Sequence, residues 1–237
     1  MKSKRIARDS NTSTGSDYRQ HTREADKVLA ANQVEIRSDN WQQLALDWFA
    51  PHEPDRADLN RYIAAHADRL GVSWAREVLR LQIYLQVKDY LQVVEHYDRA
   101  LRAYPRCALF EVWVAGYILR TSGDFWRARQ MVLNAAVELP AQAKPHYELG
   151  FMNYLLGDFN DAIEQFDLAV ALVADNDAEL GSRIYYNRGL VRFALHGESA
   201  RLAAIADMEE ALRRNPNYAQ AKNTLRVLKG KVRWTPW

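Results

Sequence analysis

Residues 143–174 read AKPHYELGFMNYLLGDFNDAIEQFDLAVALVA, and their pattern decides the fold. Leu149, Met152, Tyr154 and Leu155 recur at helical spacing, after which Gly157 and Asp158 supply a helix-stop residue followed by a helix-start residue. Beyond them Ala162, Ile163, Phe166, Ala169 and Val170 place one apolar stripe on one face of a second helix. The segment is a helical hairpin. Gly150 stands in the middle of its first helix, where a glycine costs about 1 kcal/mol relative to alanine, so a close helix crossing is expected there.

A shift of 34 or 35 residues brings the same register back upstream. Residues 109–142 give Gly116, Gly123, Phe125, Ala128, Ala135 and Pro140. Residues 74–107 give Tyr84, Asp89, Tyr90, Val93, Tyr97, Ala100 and Pro105, with Leu81 and Lys88 where the other copies carry glycine. Downstream, residues 182–218 give Gly189, Ala204, Met208, Ala211 and Pro216, provided that three extra residues enter the turn around His196 to Ser199. About five more, near Asp177 to Gly181, are expected to lengthen the connection before that copy. The arrangement of Gly150, Gly157, Ala162, Phe166 and Ala169 resembles the tetratricopeptide repeat, whose period is 34 residues. The resemblance implies an all-α, right-handed α-solenoid of helix-turn-helix repeats, with copies at 74–107, 109–142, 143–176 and 182–218.

The flanks follow from this frame. Residues 1–38 begin with MKSKRIAR and then turn polar and mixed in charge, which predicts a flexible polar and basic arm without the apolar middle of a secretory signal. Residues 39–73 have the length of a repeat without its signature residues. They read as a degenerate capping helix pair, the first helix capped by Ser38 or Asp39, Pro51 and Pro54 breaking the chain, and Gly71 stopping the second helix. Residues 219–230, with Ala221, Leu225 and Leu228, read as a C-terminal capping helix. Residues 231–237 form a tail with Trp234 and Trp237, expected to fold back on the last helix or to dock on a partner. Four copies and these flanks should make one continuous stack.

Composition excludes more than it selects. The 237 residues are 48% hydrophobic and 26% charged, with a net charge of +2, so an ordinary globular chain is expected and a nucleic-acid partner is not. The single Cys107 excludes an internal disulfide and suits a reduced cytoplasmic setting. No apolar run approaches the roughly 18 residues of a membrane span. The chain has no GxxxxGK[ST], GxGxxG or HExxH motif and no paired-cysteine metal site; no catalytic residue, metal or cofactor is expected. His146 falls at a core position, and Asp161, Glu164 and Asp167 on a helix exterior.

Function is expected to be binding. In proteins with this repeat the first helix of each pair lines the concave face, through its second, fifth, ninth, twelfth and thirteenth positions. The resemblance therefore implies a groove of Phe110, Trp113, Tyr117 and Arg120 from the second copy and Lys144, Tyr147, Phe151 and Tyr154 from the third. The fourth adds Arg183, Tyr186 and Phe193. Ala75 and Val78 hold the corresponding places in the first copy. Such a groove suits another protein, a peptide or helical segment with apolar anchors and an acidic group. The carboxylate clamp of chaperone-binding members is matched only at Lys144, so their ligands are not expected. Three roles fit: an adaptor, an assembly or secretion chaperone, and a permanent subunit of a complex. Single-stranded RNA is a weaker fit, because the Gly-Ala-Phe-Ala-Pro pattern belongs to the protein-binding repeat.

Overall fold

The computed structural model describes residues 15–49, 55–121 and 123–230, and all regular structure among them is helical. Pro51, Pro54 and the 231–237 tail lie outside the described residues, as does the MKSKRIAR start of the expected arm. The chain forms two compact units, residues 1–106 and 107–237, where one continuous stack was expected.

The second unit contains α6 (Ala108–Thr121), α7 (Phe125–Glu138), α8 (Ala143–Leu156), α9 (Phe159–Leu172), α10 (Ala178–His196), α11 (Arg201–Arg214) and α12 (Ala219–Leu228). Local chemistry sets the boundaries. Asp124 and Asp177 cap α7 and α10 by accepting hydrogen bonds from the backbone N–H groups of Arg127 (3.1 Å) and Leu180 (3.0 Å). α8 ends at Gly157, whose φ of +83° is the left-handed conformation that only glycine adopts cheaply. There the N–H of Asp158 donates to the carbonyl of Asn153 at 2.9 Å and satisfies one of the last free carbonyls of the helix.

Each pair closes on itself, and its second helix then packs on the first helix of the next pair: α7 on α8, and α9 on α10. Gly150 has the packing reason expected of it. A Cβ built there would stand 2.8 Å from the buried ring of Phe166. Gly189 faces Met208 still more closely, at 2.6 Å. Gly116 differs, because among the described residues nothing lies within 4 Å of the place its Cβ would occupy.

Two further contacts lock α9, α10 and α11 together. Asp207 on α11 is buried; Arg188 Nε donates to both its carboxylate oxygens at 3.2 Å, and Arg192 Nη1 to Oδ2 at 3.1 Å. Both arginines also reach Asp167 Oδ1 on α9, at 2.8 and 3.0 Å. Arg188 and Arg214 each lie over the ring of Tyr185, 5.1 and 5.3 Å from its centroid. The extra residues near Asp177 to Gly181 do not make a longer connection. They extend α10 backward by a turn, and Gly181 lies inside that helix, where a Cβ would meet Arg214 at 2.6 Å. The insertion at 196–199 forms a 3-10 turn, Gly197–Ala200.

The first unit contains α1 (Gly15–Ala31), α2 (Trp41–Phe49), α3 (Asp55–Ala65), α4 (Val72–Gln86) and α5 (Tyr90–Arg99). The flexible arm expected over 1–38 is corrected here: residues 15–31 are helical and packed on α4 and α5, with Ala25 and Leu29 buried. The contact is largely polar, which is why an apolar stripe did not announce it. Arg80 donates to the Asp26 carboxylate through Nε (2.8 Å) and Nη2 (2.6 Å), and the ring of Tyr18 stacks on His96 with centroids 6.2 Å apart.

The α2–α3 pair is also unlike a preceding repeat. It is α2, the first helix of the pair, that lies along α4, with Trp41 set edge-on to Trp74 at 5.8 Å. α2 starts at Trp41 after Asn40, not after a cap at Ser38 or Asp39; the Asn40 side chain turns back to accept from Arg37 N at 2.7 Å. α3 ends at Ala65, and Gly71 precedes α4 as its N-cap.

Candidate binding surface on the first helices of the repeats

The residues expected to line a groove do not all point the same way. Phe110 is 2% exposed and Tyr147 8%, so both belong chiefly to the core. Trp113 is 38% exposed on α6. Tyr117, Lys144, Phe151, Tyr154, Arg183, Tyr186 and Phe193 are half-buried, which is the state of side chains that are held from one side and open on the other. The side chain of Arg120 lies outside the described residues. In the first unit the corresponding Ala75 and Val78 are fully buried.

Three first helices are joined through this set. Lys144 Nζ on α8 lies 4.6 Å from the centroid of Trp113 on α6 and 5.8 Å from that of Tyr147. The Tyr147 hydroxyl accepts from Asn187 Nδ2 on α10 at 3.3 Å, and the same amide donates to the Arg183 carbonyl at 2.9 Å. Phe151 and Tyr154 follow along α8 with ring centroids 6.4 Å apart, and Tyr154 continues to Phe159 at 6.1 Å. At the far end the Tyr186 ring meets Tyr218, just before α12, at 5.0 Å. Burial, then the neighbouring Tyr186, pushes the Tyr218 hydroxyl above its ordinary pKa, against the pull of Arg183, so it remains a neutral hydrogen-bonding group.

Of the expected cations whose side chains are described, Lys144 and Arg183, each is paired one turn along its own helix. Lys144 Nζ is 3.2 Å from Glu148 Oε1, and Arg183 Nη2 is 2.6 Å from Glu179 Oε1. Asn187 and Tyr218 were not anticipated as members, because neither stands at a groove-lining position of the repeat; Glu148 holds one of the places of the carboxylate clamp, with a charge opposite to the one the clamp needs.

Chemistry elsewhere is quiet. Among the described residues no group of three or more His, Cys, Asp or Glu is arranged to hold a metal. His146 Nδ1 lies 3.0 Å from Gln165 Oε1, an internal pairing between α8 and α9. Burial pushes the Cys107 thiol up to about 12, which leaves it protonated and unreactive at neutral pH. Among the described residues no helix is long and apolar enough to cross a membrane.

No family model matches the sequence, and no curated protein matches it. Solved structures do match. A thermophilic tetratricopeptide-repeat protein of Thermus thermophilus is 17% identical at a TM-score of 0.51, over 81% of this chain and 99% of its own. YrrB, described as a tetratricopeptide-repeat protein with an unusual peptide-binding site, is 14% identical at 0.50, over 86% and 98%. Yeast Tom70 is 17% identical at 0.51, over 91% of this chain and 52% of its own. At these identities the likeness speaks for fold alone, and it agrees with the all-helical pairs described above. The chain is, by fold, an all-α helical solenoid of the tetratricopeptide-repeat type.

Proposed function

We propose that the second unit is a non-enzymatic protein-binding module. It holds a segment of another protein on the surface made by α6, α8 and α10. The observation that carries this reading is the contact chain Trp113–Lys144–Tyr147–Asn187, which runs across those three helices and leaves Trp113 partly exposed. Around it Phe151, Tyr154, Tyr186 and Phe193 offer half-buried rings. An aromatic buried by a partner removes roughly 150–250 Å² from water and can contribute 2 kcal/mol or more as a hot spot. The peptide-binding site named for YrrB supports the same class of function.

The paired state of Lys144 and Arg183 refines the ligand. A cation already neutralised by Glu148 or Glu179 gives little surplus attraction to an acidic group, so the anchors are apolar or aromatic. As an adaptor the chain would bind and release such segments. As an assembly chaperone or a permanent subunit it would instead co-purify with its partner in fixed ratio.

The test is selection of displayed peptides on the full chain, followed by titration of the selected peptides against a Trp113→Ala/Phe151→Ala/Tyr186→Ala variant of verified helicity. Selection of peptides with apolar anchors that lose affinity for the variant supports the reading. Peptides that bind both proteins equally would sink it.

A further inference from the structure

α7, α9 and α11 are the second helices of three successive pairs and have 14 residues each, so their positions compare one for one. Positions 4, 8 and 11 face the core, as Ala128, Val132 and Ala135 do on α7. At about 100° per residue, positions 2, 6, 9 and 13 fall on the opposite side and make the outward row. On α9 that row holds Glu164 and Asp167, and on α11 Glu209 and Arg213. On α7 it reads Trp126, Gln130, Leu133 and Val137, without a charge. Trp126 is 70% exposed and Val137 81%, at the two ends of a row about 16 Å long. The indole is held in place by the Phe125 ring, which meets it edge-on with centroids 5.4 Å apart. The Gln130 amide donates to Asn134 Oδ1 at 2.9 Å, so the polar member of the row already has a partner. An aromatic held out into water on an uncharged helix face marks a docking surface.

We propose that the outward face of α7 is a self-association surface, on which α7 of a second copy of this chain packs antiparallel about a two-fold axis. Under that symmetry the row maps onto itself: Trp126 of each copy meets Val137 of the other, and Gln130 meets Leu133. The largest side chain of the row thus lies against a small one at both ends, which lets the helices approach. Parallel pairing would stack Trp126 on Trp126 and hold them apart. The antiparallel arrangement also brings Glu138 of each copy toward Arg127 of the other and opposes the helix dipoles, while Asp124 at that end is committed to capping α7. An uncharged row adds no like-charge repulsion between two identical faces and gives a charged foreign segment nothing to select. A tryptophan contributes roughly 150–250 Å² and the row on the order of 400 Å² a side, which is the range of weak, reversible interfaces. The expected dissociation constant is on the order of 10 μM.

The experiment is sedimentation velocity of the full chain from about 1 to about 200 μM, over which the wild type is expected to pass from monomer to dimer. Trp126→Glu and Val137→Lys should each weaken the dimer at least about tenfold. Both changes fall at highly exposed positions, and their charges suit the N- and C-terminal ends of α7, so the helix itself should hold; helicity is checked for each. Mixed in equal amounts, the two variants should form a dimer again. The antiparallel register then sets the introduced carboxylate of one against the introduced ammonium of the other at one end, and leaves Trp126 on Val137 at the other. A wild type that stays monomeric at about 200 μM overturns the proposal, whether or not the face then binds a different protein. A dimer that neither variant weakens overturns it too, as do two weakened variants that fail to recover on mixing. None of these substitutions touches α6, α8 or α10, so peptides selected on the groove should bind both variants as they bind the wild type.

Discussion

Lys144 Nζ stands 4.6 Å from the centroid of the Trp113 indole, so a cation from one repeat holds the exposed ring of the repeat before it. That contact is worth about 0.5–1 kcal/mol at a partly exposed site. Trp113→Ala should therefore cost little stability, yet lower the affinity for a selected segment by about tenfold or more, as loss of a hot spot does. Lys144→Met separates two ligand types. A segment anchored by apolar groups should keep its affinity within about threefold, whereas one anchored by a carboxylate should lose most of it. Thermal unfolding and titration of each variant read both quantities.

Two helix-centre glycines should respond to alanine with opposite signs. At Gly150 the new methyl would sit 2.8 Å from the Phe166 ring, which is fully buried and has no room to retreat; overpacking of this kind costs roughly 1–3 kcal/mol. At Gly116 nothing among the described residues lies within 4 Å, and alanine should gain up to about 1 kcal/mol of helix propensity. Urea unfolding of the two variants decides the matter. A stabilised Gly150→Ala would mean that α8 and α9 are not in close contact there.

The same pair of glycines marks how far sequence reading reaches. The helix pairs of the second unit were legible because small and large residues recur at a fixed period, and Gly157 with Asp158 punctuates them. Gly116 fits that period without performing the packing task the period suggests. α1 escaped because Asp26, Tyr18 and Thr22 face Arg80, His96 and Tyr84, a largely polar contact in which Ala25 and Leu29 are the buried apolar residues, too few to stand out as a stripe. At the candidate surface, spacing named Trp113 and Lys144 and missed Asn187. Whether a ring at a concave position faces solvent, as Trp113 does, or the core, as Phe110 does, depends on how adjacent helices tilt, and no single helix encodes that.

Asp207 is the residue on which the Arg188 and Arg192 guanidinium groups converge. Burial works against the charge of Arg188, and the hydrogen bonds and charges of Asp207 and then Asp167 more than offset it, so its pKa is raised. Asp207→Asn keeps the size and removes the charge, leaving two arginines with only the half-exposed Asp167. Breaking one side of a buried pair typically costs about 3–5 kcal/mol. The expected result is a large fall in the urea midpoint of the second unit, while Asp167→Asn, at the exposed end of the same network, costs under about 1 kcal/mol.

Glu77 gives the first unit a pH dependence. Burial alone would raise its pKa, but the His96 ring, whose Nε2 lies 3.1 Å from the carboxylate, and then Arg80, whose Nη1 donates to Oε1 at 2.6 Å, hold it below its ordinary 4.5. A carboxylate lowered in the folded state binds its proton more readily when unfolded, so stability rises with pH across that interval. Its contribution is fully present above the ordinary value and is lost as pH falls through the lowered one. Tyr18, Asp26, Arg80 and Tyr84 face the same site, and Asp26 opposes the effect. Urea unfolding followed through the α1–α5 unit, from about pH 6 down to about pH 3, should show a steeper loss for the wild type than for Glu77→Gln, with the two curves converging at the acid end. Parallel curves would mean that Glu77 titrates alike in the folded and unfolded chain, and that the His96 contact does not hold its proton off.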